Sequence, residues 1–153
     1  MSHVGIEYAI LLPILVLQII VLPLSVSWIM SVWTNDRMKS EIQEAANQVT
    51  NTIKQLYLAL ENSEILPTSN PIIQTLGLPT TIESHLYYAT GQQSGNSAIN
   101  FHFTLQGTGI TTNSSAIFGS SIHWQSSEFF SNSSSACIKA WKYSNNTISL
   151  SFG

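Results

Sequence analysis

The side chains with the widest chemical repertoire are His85, His102 and His123, with Glu83 and Glu128 near them in the sequence. Imidazole and carboxylate groups can hold a metal ion or exchange a proton when they converge. Here each histidine falls on a separate predicted strand, and no close ligand spacing is present. They read as sheet-face or surface histidines, with no metal or cofactor expected. Cys137 is the only cysteine, so neither an intramolecular disulfide nor a cysteine metal cluster can form. Its neighbours read as a strand, which favours a small buried apolar residue over a reactive thiol. No phosphate loop, nucleophile elbow or dinucleotide fingerprint occurs, and Gly107-Thr108-Gly109 reads as a turn or bulge. No catalytic residue is assigned, and the chain is not read as an enzyme. Trp124, Phe129, Phe130 and Trp141 could contact carbohydrate, but core or subunit contacts weigh more heavily.

With so little chemistry, the distribution of residue types becomes the main signal. Charged residues make up 8% of the 153 positions and the net charge is −3. An average soluble domain is about 25% charged. There is no basic footprint for a nucleic-acid partner, and little charge to keep a monomer apart from its copies. Apolar residues crowd the first 33 positions, whereas Ser, Thr and Asn dominate beyond residue 90. Such a surface suits an assembled or glycosylated protein.

From Tyr8 to Trp33 there is no charged residue, a run long enough to cross a hydrocarbon core of about 20 residues. It is too long for a cleaved secretory signal. Arg37 and Lys39 follow it, which by the positive-inside tendency would leave the remainder cytoplasmic. Loss of a short basic leader removes that conflict, so the chain is expected to be a mature form or to retain a two-residue leader. Pro13 and Pro23 each remove a helical N–H, at about 3 kcal/mol in an ordinary helix interior. They act either as plain kinks or as points of local unwinding. Glu7 stands at the edge of the run, where an unpaired carboxylate is costly. It is either a helix-start acid favoured by the macrodipole or a charge partner for the N-terminal amine of a neighbouring copy.

The stretch Gly5-Ile6-Glu7-Tyr8-Ala9-Ile10-Leu11-Leu12-Pro13-Ile14-Leu15 resembles the N-terminus of the type IV pilin superfamily, Tad-type pilins and pseudopilins especially. Their mature ends show Glu, an aromatic residue, aliphatics and a proline. The resemblance covers about the first 35 residues. It implies that a prepilin peptidase cuts after Ser2, leaving His3 as the new terminus and Glu7 fifth; Ser2 stands where the family usually carries Gly. It also implies assembly through Glu7, Tyr8, Pro13 and Pro23, with an assembly ATPase and a membrane platform as partners.

Beyond Trp33, apolar residues recur at Met38, Ile42, Ala45, Val49, Ile53, Leu56 and Leu60, in steps of three and four. That spacing makes one stripe on an amphipathic helix. One nearly continuous helix is therefore expected over 1–62, with apolar (3–33) and amphipathic (34–62) parts, followed by a β-rich head over 63–153. Candidate strands are 81–90, 98–106, 116–124, 136–143 and 147–152, the last two a hairpin around Ser144-Asn145-Asn146. Ile72 to Leu78 reads as a short turn or helix. The fold class is α+β, with the helix packed on a small antiparallel sheet or sandwich. Acceptor sequons start at Asn113, Asn132 and Asn145, all assigned to turns of the head.

Taken with the resemblance, these features imply the major pilin of an archaeal type IV-like pilus. It would insert in the membrane, then polymerise with its own copies outside the cell to serve adhesion. A single-pass anchored binding module, or a minor pseudopilin, is the alternative.

Overall fold

The order of elements follows from two hydrophobic periods, one helical and one alternating. The computed structural model describes residues 3–62, 64–67, 70–133 and 136–153, with side chains from residue 11 onward. Helix α1, His3–Glu61, is 59 residues long and includes Pro13 and Pro23 without interruption. Eight strands follow: β1 Ile72–Thr75, β2 Tyr87–Ser94, β3 Ala98–Leu105, β4 Thr111–Ile117, β5 Ile122–Trp124, β6 Ser127–Phe130, β7 Cys137–Lys142 and β8 Ile148–Phe152. This is an α+β fold with a long, apolar N-terminal helix. The chain divides into two compact units, Met1–Arg37 and Met38–Gly153.

In the second unit, the stripe expected on α1 is buried at Met38, Ile42, Ala45, Val49, Ile53 and Leu60, joined by Ala46, Thr50 and Tyr57. Leu56 packs partly buried against the same core. Polar groups fix the helix on the strands. Thr50 Oγ1 donates to Ser114 Oγ at 2.7 Å, Thr112 Oγ1 donates to Gln43 Oε1, and Gln48 Nε2 reaches Leu76 O at 3.1 Å.

The strands form two sheets of four, ordered β1-β7-β8-β5 and β4-β3-β2-β6. All pairs are antiparallel except β5 with β8, which are parallel, so the first sheet is mixed rather than purely antiparallel. The chain changes sheets at Gln125-Ser126, between β5 and β6. The sheets meet across aromatic rings: Trp124 lies 5.3 Å from Phe101 and Phe129 lies 4.9 Å from Phe152, while Trp124 and Phe152, neighbours within the first sheet, lie 5.0 Å apart. Edge-to-face contacts of this kind each add about 0.5–1.5 kcal/mol to the burial itself.

Several expected strands are redrawn. The segment 116–124 is not one strand, because the chain breaks at Phe118-Gly119, where Gly119 N donates to the Tyr57 hydroxyl at 3.1 Å. Only the latter part of 81–90 is strand: Ile82 and His85 close a two-residue turn with Glu83 and Ser84 at φ 47° and 67°. Ile72–Thr75 is an edge strand on β7, not a turn or helix. Residues 111–117, rich in Ser and Thr, are an edge strand whose alternation is carried by hydrogen-bonded hydroxyls instead of apolar residues. The β7–β8 hairpin turns at 144–146, with Asn146 at φ 60°.

Gly91 is required at the sheet–sheet contact. A Cβ there would stand 2.4 Å from the Trp124 ring, and Gly91 O accepts the Trp124 indole N–H at 2.8 Å. Gly91→Ala is expected to cost about 1–3 kcal/mol by overpacking, read as a lower midpoint in denaturant unfolding; an unchanged midpoint contradicts this packing. Tyr87 is fully buried and donates to Pro79 O at 2.7 Å, and burial pushes its phenol up to about 12. The fold therefore favours the protonated phenol over an unfolded value near 10. Stability from this group is intact below pH of about 10 and is lost as pH rises toward about 12, on the order of 2 kcal/mol in all. Urea unfolding across that window should show the loss in the natural chain and a flatter profile in Tyr87→Phe.

Candidate functional site

The first unit presents a surface that its own chain leaves bare. Every residue from Leu11 to Trp33 is exposed, and its large apolar side chains range from 39% open at Val32 to 72% at Trp33. A helix apolar all round is stable only where all sides are covered. Left in water, each Leu or Ile forgoes about 1.5–3 kcal/mol of burial. At about 1.5 Å per residue the segment is roughly 35 Å long, against a hydrocarbon core of about 30 Å. It is thus long and apolar enough to cross a membrane.

Two of its hydroxyls turn back onto the helix. Ser25 Oγ donates to Val21 O at 2.8 Å and Ser31 Oγ to Trp28 O at 2.7 Å. Hydroxyls satisfied in this way leave the side-chain surface apolar and ready for close contact. Pro13 and Pro23 deprive the carbonyls of Ala9 and Ile19 of their helical donors. In hydrocarbon such carbonyls are tolerated where neighbouring helices or local adjustments satisfy them. Beside Pro13 runs a shallow apolar groove lined by Val16, Leu17, Ile20 and Val21. Glu7 stands one turn inside α1, past the first turn where the macrodipole favours an acid. The side chains of His3, Glu7 and Tyr8 lie outside the described residues, as does Ser2 altogether.

In the second unit the histidines do not converge. His102 is on the outer face of β3, His123 is exposed on β5 in the other sheet, and His85 Nδ1 lies 2.8 Å from Glu83 O. Among the described residues no three His, Cys, Asp or Glu side chains come together to hold a metal. Cys137 is a buried free thiol. Of the four aromatic candidates, Trp124 and Phe129 are core, Trp141 is half-buried and Phe130 is 42% exposed. All three sequon asparagines are exposed, but only Asn132 and Asn145 lie in turns. Asn113 is in strand β4, where its Oδ1 lies 2.5 Å from His102 Nδ1.

Lys142 was not singled out by the sequence, although its place in the β7 alternation, in phase with Ile138 and Ala140, marks it as facing inward. It is 4% exposed, and its ammonium donates to Asn62 O at 2.7 Å, just past the end of α1. A cation there satisfies a terminal carbonyl and sits at the negative end of the helix macrodipole. It holds the helix end to the sheet.

Comparison with family models, characterised proteins and solved structures finds no match to this chain.

Proposed function

We propose that the chain is a structural subunit of an extracellular filament of the type IV pilus kind, polymerising through the apolar part of α1. One observation carries the reading: an apolar surface spanning Leu11–Trp33, uncovered on every side, continues in the same helix into a stripe covered by the chain's own head. Lipid can cover such a surface before assembly, and identical helices can cover it afterwards. Because lipid is already apolar, the hydrophobic effect hardly distinguishes the two states. Selection of the polymer falls to close helix packing and to pairing of Glu7 with the N-terminal amine of a neighbour. The resemblance of Gly5–Leu15 to pilin N-termini supports this, and with it cleavage after Ser2 by a prepilin peptidase and use of an assembly ATPase and membrane platform. The exposed asparagines Asn113, Asn132 and Asn145 suit a glycosylated outer surface, and the role is mechanical and adhesive rather than enzymatic.

A single-pass anchored module would use the same helix without forming fibres. In cells making the natural chain, sheared surface material should contain abundant thin fibres composed mainly of it, seen by negative-stain microscopy. Glu7→Ala combined with Leu15→Lys should abolish them while the chain continues to be made. Ordinary fibres from the double variant, or none from the natural chain, would overturn the proposal.

A further inference from the structure

The sheet β4-β3-β2-β6 has a second face, turned away from the core, that the filament reading leaves unused. Strand register places Thr90, His102 and Asn113 in one row across β2, β3 and β4, and Gln92, Asn100 and Ser115 in the next. These six side chains line a depression of about 470 Å³. Strands about 4.8 Å apart and residues about 3.4 Å apart make the two rows a patch of roughly 10 by 7 Å. Phe101 and Ser114 also border it, but Phe101 is buried on the core side and Ser114 accepts from Thr50 there, so they contribute main chain.

The six share one chemistry. None is a carboxylate, ammonium or guanidinium, and each offers a hydrogen-bond donor, an acceptor or both. A solvated sheet face usually carries Lys, Glu or Arg, yet none of these lines the depression. Glu128, exposed and paired with Thr90 across β6, stands at its border and opposes an anionic ligand. His102 and Asn113 bond each other at 2.5 Å. Whichever way that amide is turned, the pair leaves at least one donor and one acceptor over. Along β2, one step from Thr90 on the same face, Tyr88 packs against Phe130 with ring centroids 5.9 Å apart, and Phe130 is 42% exposed. A flat array of amide, hydroxyl and imidazole donors and acceptors beside an exposed aromatic ring matches a molecule with hydroxyls around its rim and C–H groups on its face.

We infer that this face binds a neutral carbohydrate. The inference goes beyond the filament reading and stands without it, since a monomeric head would bind equally well. Two sources share the chemistry. The sugar can be a glycan of another surface, or one attached to Asn113, whose sequon serine, Ser115, faces the same depression.

The test uses the full chain in a detergent without a sugar headgroup. Neutral oligosaccharides (maltohexaose, cellohexaose and N-acetylchitohexaose) are titrated by amide NMR, with a sulfated hexasaccharide as the charged control. At about 10 mM ligand at least one neutral probe should shift the Asn100 and His102 amides, and Gln92→Ala with Asn100→Ala should weaken it about tenfold or more. Asn145→Ala, remote from the face, should not weaken it, and thermal unfolding verifies that each variant is folded. Intact mass of the native protein separates the sources. A glycan on Asn113 predicts that Asn113→Gln moves the Asn100 and Gln92 amides and opens the face to the free probes; an unmodified Asn113 predicts direct binding to the natural chain. No neutral probe binding to either form, stronger binding of the sulfated control, or binding indifferent to Gln92 and Asn100 overturns the inference.

Discussion

Water against the apolar helix surface from Leu11 to Trp33 is costly, and among the described residues nothing covers it. That constraint governs the rest. On the proposed filament reading, lipid covers it at one stage and identical helices at another. The same reading accounts for the low charge, because a subunit of a polymer need not repel its copies. Ser25 and Ser31 within the segment fold their hydroxyls onto the helix backbone, leaving fewer free polar groups to oppose such packing.

The same helix becomes amphipathic where the head begins. From Met38 onward one stripe is buried, and the head wraps its core around that stripe with hydroxyl and amide bonds at β4 and the Lys142 ammonium at the helix end. The aromatic cluster of Phe101, Trp124, Phe129 and Phe152 then locks the two sheets to each other. Without a disulfide, these contacts and the helix stripe supply the cohesion of the head.

Much of this was legible in the sequence because its periods were strong. Steps of three and four marked the buried stripe, and the alternation Ile99-Phe101-Phe103-Leu105 marked β3 and its inward face. What escaped had weak apolar contrast. Strand β4 alternates Thr112 and Ser114 against Asn113 and Ser115, all polar, so its inward face shows through the bonds to Gln43 and Thr50 and through the buried Ala116 at its end. Strand β1 is exposed along its whole length and carries no burial signal. The sheet change at Gln125-Ser126 is a long-range event, set by Trp124 and Phe129 entering one core from different sheets. For the candidate site, Asn113 and His102 were visible singly, but their neighbourhood depends on register that no local pattern encodes.

The central claim is that copies of this chain cover one another's apolar helices. A photoreactive amino acid at Leu17, activated on intact cells, measures this directly. The account predicts covalent ladders in multiples of the 16.8 kDa subunit, plus any attached sugar, in the sheared surface fraction. Adducts to lipid alone, with the chain remaining single, would contradict it.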